Sequence, residues 1–248
     1  MNDSHRDKGQ AHYHHCPICD FEWRCELAGC TLPLETLCGP GQCLNRARRK
    51  YKRVYPTVPA NFACVLDVGC GSGLSLQWSN MALGAVAVGV DIDLDALAKG
   101  RMLRPHFSFV CATAESLPFR DGAFDAVISR AGLPYMDIPV ALREMHRVLK
   151  SHGSLWASLL NLRFACRDGL RRLGSLNPIN AAFAFCTLMN GLFFHVTGKL
   201  FRFPLRRARC ESFQTGRGIR LALHRAGFDH IEFHRDRYHS SITARRSG

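Results

Sequence analysis

The chain has 248 residues, 47% of them hydrophobic, and a formal net charge of +13. That is enough for one α/β domain of ordinary size with a small appendage, and it excludes a second large domain. The first residues are polar and charged with no apolar run, which predicts no secretory signal peptide and a reducing, cytoplasmic setting.

Residues 1–12 read as a disordered tail, and residues 13–50 as a separate cysteine-rich leader. Six of the twelve cysteines, Cys16, Cys19, Cys25, Cys30, Cys38 and Cys43, crowd into a stretch too short for its own hydrophobic core. In a reducing compartment such a cluster points to a metal rather than to disulfides. Cys16-Pro17-Ile18-Cys19 has zinc-knuckle spacing, and Cys38 and Cys43 make the best second pair for one tetrahedral, structural Zn2+. Cys25, Cys30, His14 and His15 are alternatives for a ligand position or for a second site. The other six cysteines are scattered singly and read as small buried hydrophobes.

The remaining domain, 51–248, opens with an apolar strand near 62–68 that runs into Asp67-Val68-Gly69-Cys70-Gly71-Ser72-Gly73. A dinucleotide fingerprint needs Gly-x-Gly-x-x-Gly, and counted from Gly69 and Gly71 its third glycine falls on Leu74, so that pattern fails. S-adenosylmethionine has no phosphates and needs backbone passing close beneath its amino acid and ribose, which glycines at 69, 71 and 73 permit. Asp67 would orient the loop or reach the methionine ammonium. The plain alternative is a glycine-rich turn that binds nothing. A second strand, 85–91, ends at Asp91, about twenty residues beyond the glycines, where one carboxylate can accept both ribose hydroxyls. Ile92 follows it directly. Asp93 reads as a helix cap and Asp95 as a first-turn acid.

Further along, Phe109-Val110-Cys111-Ala112-Thr113-Ala114-Glu115-Ser116-Leu117-Pro118-Phe119, Phe124-Asp125-Ala126-Val127-Ile128-Ser129 and Arg147-Val148-Leu149-Lys150-Ser151-His152-Gly153 follow in order. With the glycine turn, the stretch from about Phe62 to Leu160 resembles the class I S-adenosylmethionine-dependent methyltransferases, in the branch of the ubiquinone and menaquinone C-methyltransferases. The resemblance implies an α/β, Rossmann-like seven-stranded fold. Its cofactor site would fall on Asp67, Gly69, Cys70, Gly71, Gly73, Asp91, Ile92, Thr113, Ala114, Glu115 and Ser129. Two departures stand out: Thr113 occupies the place of the adenine-binding aspartate, and Ser151-His152 that of a Pro-Gly pair, leaving Gly153 to turn the chain. The leader from Cys16 through Cys43 is similar to the zinc-ribbon-like segments that precede some of these domains.

Strands are expected at 106–111, 124–130, 153–160 and 228–234. Asp137 followed by Ile138-Pro139 reads as a capped helix start, with Ile138, Leu142, Met145 and Leu149 on one apolar face. A helical insertion, 162–214, separates strands five and six. From Arg163 to Arg225 there are twelve basic residues against Asp168 and Glu211, interleaved with an apolar stretch, Ile179 to Val196, too interrupted for a confident membrane span. A basic rim around an apolar patch suits peripheral contact with an anionic membrane surface, on the inner face, or a hydrophobic, acidic substrate. It also suits nucleic-acid phosphates, or a solvated surface over a core helix. The carboxyl end reads as a complete domain, with a helix at Ile219–Ala226 and an antiparallel return at Arg237–Thr243.

Two functional classes remain. One is a methyltransferase acting on a small, lipophilic acceptor, with Tyr135 and His195 as catalytic candidates and Arg130 and Asn161 beside them. The other is a zinc-containing module that binds or modifies nucleic acid on the same scaffold.

Overall fold

In a computed structural model of the chain, residues 12–16, 21–25, 55–56, 58–79, 81–82, 84–160, 178–201, 212–235 and 240–248 are described. Two units divide at Lys52 and Arg53. The smaller unit carries an antiparallel hairpin of β1 (His12–Cys16) and β2 (Phe21–Cys25), in which Cys16 pairs with Phe21. Cys19, Cys30, Cys38 and Cys43 lie outside the described residues; of the tail expected at 1–12, residues 1–11 also lie outside them, and His12 belongs to β1 instead.

The larger unit is organised by a seven-stranded sheet. Its strands are β3 (Cys64–Val68), β4 (Val86–Asp91), β5 (Ser108–Cys111), β6 (Phe124–Ser129), β7 (Leu149–Leu159), β8 (Phe228–Arg235) and β9 (Ser240–Arg246), in the order β5-β4-β3-β6-β7-β9-β8. The pairs among β3 to β7 are parallel, whereas β9 runs antiparallel to both β7 and β8.

β3 reads as a continuous apolar run because both faces of the sheet are covered. Val65 packs with Leu76, Ala87 and Ile128 on one side. Leu66 and Val68 join Leu142, Met145 and Leu155 on the other. The edge of this strand is pinned by Asp125, whose Oδ2 accepts from Ala63 N at 3.0 Å and Cys64 N at 2.8 Å.

The helices start where their caps dictate. α1 is short (Leu74–Trp78) and leaves the glycine turn. α2 (Leu94–Leu103) begins at Asp93, whose side chain accepts from the backbone of Asp95 and Ala96. α3 (Ile138–Val148) begins at Asp137, which accepts from Val140 N, and buries Ile138, Ala141, Leu142, Met145 and Val148. In the insertion the described helix is α4 (Pro178–Thr197), followed by α5 (Gly216–Arg225) with Thr215 as its cap.

Two local expectations need correction. Strand β7 starts at Leu149, directly after α3, rather than at 153, and its register against β6 jumps from Leu149 opposite Phe124 to Ser154 opposite Ala126. The left-handed turn in that bulge falls on His152, with φ +62°, and not on Gly153. Gly153 is needed instead for close approach, since a Cβ there would stand 2.8 Å from Lys150 O and 3.1 Å from Asp125 O.

Candidate active site

The turn after β3 sits where chain connections leave the sheet in opposite directions, toward β4 on one side and β6 on the other. Open α/β sheets bind ligands at such a switch point, outside the carboxyl ends of the strands. Gly69, Gly71 and Gly73 have φ of +76°, +52° and +82°, a region that side chains enter only under strain. Gly73 is also packed so closely that a Cβ would lie 2.7 Å from Phe109 Cζ.

Backbone and carboxylate groups from β4 hold this turn. Gly69 N and Cys70 N donate to Val90 O at 2.8 and 3.1 Å. Asp91 Oδ2 accepts from Gly71 N at 2.7 Å, and its Oδ1 accepts from Asp93 N at 3.0 Å, so one side chain ties the turn to the start of α2. From beneath, the buried Arg104 guanidinium donates to Ser72 O at 3.0 Å and to Gln77 Oε1 at 2.7 Å.

Above the turn opens a cleft of about 300 Å³, lined by Val68, Gly69, Val90, Asp91, Ile92, Asp93, Ala112, Ala114, Glu115, Ala131, Gly132, Tyr135 and Met136. The size is at the lower end of small-molecule sites. Glu115 lines it while its Oε1 accepts from Asp137 N at 2.8 Å, which links the cleft wall to the cap of α3. The Met136 thioether methyl fills the room left by two glycines, since a Cβ on Gly69 or Gly132 would meet it at 3.0 or 2.7 Å.

Asp67 supplies the main electrostatic feature. It is fully buried, and neither carboxylate oxygen has a hydrogen-bond partner among the described residues; the same holds for the buried Ser129 hydroxyl. Loss of solvation pushes the Asp67 pKa up to about 8; the positive charge of Arg130 opposes this and the negative charge of Asp91 adds to it. Asp67 does not itself line the cleft, but Val68 and Gly69, which follow it, do; a buried carboxyl with unused acceptors just behind that wall suits a cationic group such as an ammonium, and a carboxylate at the strand end suits a diol. This pair of acceptors therefore fits the ammonium and ribose hydroxyls of S-adenosylmethionine.

The other sequence candidates fall as follows. Gly69, Asp91, Ile92, Ala114, Glu115 and Tyr135 line the cleft, whereas Thr113 does not. Gly71 and Gly73 shape the turn without lining the cavity. Cys70 turns away to pack with Leu97 and Phe109, and burial pushes its thiol pKa up. Arg130 lies over the Tyr55 ring, 4.7 Å from its centroid. His195 is outside the cleft lining, with Nδ1 2.9 Å from Thr215 Oγ1 at the cap of α5. Asn161 lies outside the described residues. Cys16 closes β1, and among the described residues no group of three or more His, Cys, Asp or Glu could hold a metal ion.

Sequence reasoning missed Gly132, Met136 and Arg104. Gly132, three residues past the end of β6, was the available signal, because a glycine there marks a close approach.

Comparison with known proteins agrees with this fold. Residues 66–157 match the family model of the methyltransferase domain. The chain is 41% identical over 93 residues to the demethylmenaquinone methyltransferase of Renibacterium salmoninarum, covering 37% of this chain and 38% of that protein. It is 36% identical over 102 residues to the mitochondrial arginine-hydroxylase NDUFAF5 of Homo sapiens, covering 41% of this chain and 29% of that protein. The matches thus span 29% and 38% of these relatives' lengths. Among solved structures, the SAM-dependent methyltransferase of Methanosarcina mazei superposes with a TM-score of 0.53 at 19% identity, covering 77% of this chain and 94% of that one. The chain therefore has the seven-stranded class I methyltransferase fold, and its residues 66–157 are similar to the methyltransferase domain.

Proposed function

We propose that the protein is an S-adenosylmethionine-dependent methyltransferase acting on a small, lipophilic acceptor. The observation that carries this reading is the pairing of two carboxylates across one glycine turn. Asp67 is buried beneath it with unused acceptors, and Asp91 stands at its rim, bonded to Gly71 N. In this reading Asp67 takes the ligand's ammonium, Asp91 its ribose hydroxyls, and Ile92 and Ala114 pack beside the adenine. When bound, the cofactor would supply a methyl carbon already activated by its sulfonium. What remains for the chain is to hold the acceptor in line and to exclude water. In this reading Tyr135, which lines the cleft, orients an acceptor or takes a proton from it.

The test is incubation of the purified protein with methyl-labelled donor and fractionated cell extract. Label entering a lipid or small-molecule pool supports the proposal, and label in nucleic acid or protein moves the acceptor to that class. Donor binding without any transfer would overturn methyl transfer. That outcome is informative because one relative is named for arginine hydroxylation.

We also infer one structural zinc ion on Cys16, Cys19, Cys38 and Cys43, supported by their spacing. Metal analysis should find about one zinc per chain, and the Cys16→Ser/Cys19→Ser variant should lose it.

A further inference from the structure

We propose that the outward face of α4 is a peripheral docking surface for anionic lipid, an inference that goes beyond methyl transfer and does not depend on it. Phe185, Leu188, Met189, Leu192 and Val196 recur at steps of three and four, which puts them on one face of a helix that turns about 100° per residue. All five are exposed, Phe185 by 64%, Leu192 by 53% and Val196 by 58%. The opposite face is fixed to the domain. Gly191 lies against Phe213, Phe194 is buried against Gly218, and the Asn190 side chain bonds Phe201 O at 3.1 Å and Phe201 N at 2.8 Å. Rotating α4 to hide the stripe would break all of these contacts.

The stripe also has a defined position. Gly191 meets Phe213, Phe194 meets Gly218, and Gly198 meets Ala222, so α4 and α5 run in the same direction. Gln214, just before α5, bonds Leu160 at the carboxyl end of β7 through both backbone and side chain. The part of α4 before Gly191 therefore reaches past the carboxyl edge of the sheet, the edge on which the cleft opens.

Charge selects the occupant. Neither α4 nor α5 contains an acidic residue, while Lys199 just past the end of α4 and Arg217 and Arg225 on α5 are exposed. Arg217, Leu221 and Arg225 follow at steps of four along the side of α5 that meets α4, where Leu221 abuts Gly198 and Arg225 donates to Thr197 O. A second copy of this face would oppose like charges, whereas an anionic headgroup layer complements them. No helix among the described residues is long and apolar enough to cross a membrane. With one face held by protein, α4 would lie in the headgroup plane with Phe185 and Leu192 dipping into the acyl boundary.

The experiment is vesicle flotation of the full chain, without cofactor, on phosphatidylcholine alone and on phosphatidylcholine mixed with phosphatidylglycerol. Binding should require the anionic lipid and weaken with salt. Phe185→Ser/Leu192→Ser should reduce partitioning by about tenfold or more, and Lys199→Glu/Arg217→Glu should remove the preference for phosphatidylglycerol. Both variants should keep the parent's thermal midpoint. No flotation on anionic vesicles, or flotation indifferent to both variants, would overturn the proposal. A concentration-dependent dimer in sedimentation velocity, lost in Phe185→Ser/Leu192→Ser without any lipid binding, would assign the face to a second copy instead. None of these readouts involves the cleft, so methyl transfer stands or falls separately.

Discussion

Asp91 Oδ2 accepts the Gly71 N–H at 2.7 Å while its Oδ1 accepts the Asp93 N–H, so the proposed ribose acceptor is also the clasp of the turn that shapes the cleft. Substituting Asp91→Ala leaves two donors without their acceptor, and charge-assisted bonds of this kind contribute roughly 1–3 kcal/mol each when a partner is removed. Affinity for S-adenosylhomocysteine, read by calorimetry, should fall by at least about tenfold. The thermal midpoint should fall with it. A variant that binds as tightly as the parent would remove Asp91 from the site.

Asp67 gives the site a pH signature. Its folded pKa, about 8, lies above the ordinary carboxylate value of 3.8 because burial disfavours the charge. A raised carboxylate pKa means that the unfolded chain gives up this proton more easily. Stability of the ligand-free protein should therefore be highest below about pH 4 for this group and decline as pH rises toward 8. A ligand ammonium reverses the preference, because it favours the ionised carboxylate. Binding near neutral pH should release protons, detected as a dependence of the calorimetric heat on buffer ionisation enthalpy, and affinity should rise up to about pH 8. The Asp67→Asn variant should abolish both trends. A pH-independent parent would show that Asp67 meets no cation.

Much of this arrangement is legible in the sequence, for local reasons. β3, β4 and the glycine turn are short-range patterns, and Asp93 and Asp137 announce α2 and α3 because a cap depends only on the next few residues. Contacts made by folding are less visible. Nothing near Arg104 in the chain says that it reaches Ser72, and nothing near Met136 says that it fills the space over Gly69. The last strand was expected at 237–243; residues 237–239 lie outside the described residues, and β9 runs on past 243 to Arg246, burying Ile242 and Ala244. The beginning of β7 was obscured by the bulge that separates Leu149 from Ser154.

The glycine turn separates backbone strain from crowding. Gly71 has φ +52° with nothing within 4 Å of an added Cβ, whereas Gly73 has φ +82° and would place its Cβ 2.7 Å from Phe109 Cζ. Gly71→Ala should cost only the left-handed penalty of about 1–2 kcal/mol. Gly73→Ala adds overpacking of roughly 1–3 kcal/mol, so it should be the more destabilising of the two in urea denaturation. Pairing Gly73→Ala with Phe109→Leu should recover part of the crowding term but none of the strain. Equal losses in the two single variants would mean that Phe109 gives way.

Arg246, in the final strand, donates from one guanidinium nitrogen to the main-chain oxygens of His146 at 3.1 Å, Arg147 at 2.9 Å, and Leu149. These carbonyls end α3, where a helix has unmet acceptors and a negative dipole end, so a cation there is favourable on both counts. The contact joins two parts of the chain about a hundred residues apart and locks the last strand onto the helix whose first turn borders the cleft. Arg246→Ala should lower stability by about 1–3 kcal/mol. Hydrogen exchange should then quicken at Ser240–Arg246 and at the carboxyl end of α3, while the glycine turn stays protected. Arg246→Lys can reach only part of the acceptor set and should fall between the two. Faster exchange spread evenly over the sheet, with no local excess at β9, would show that Arg246 does not act as this lock.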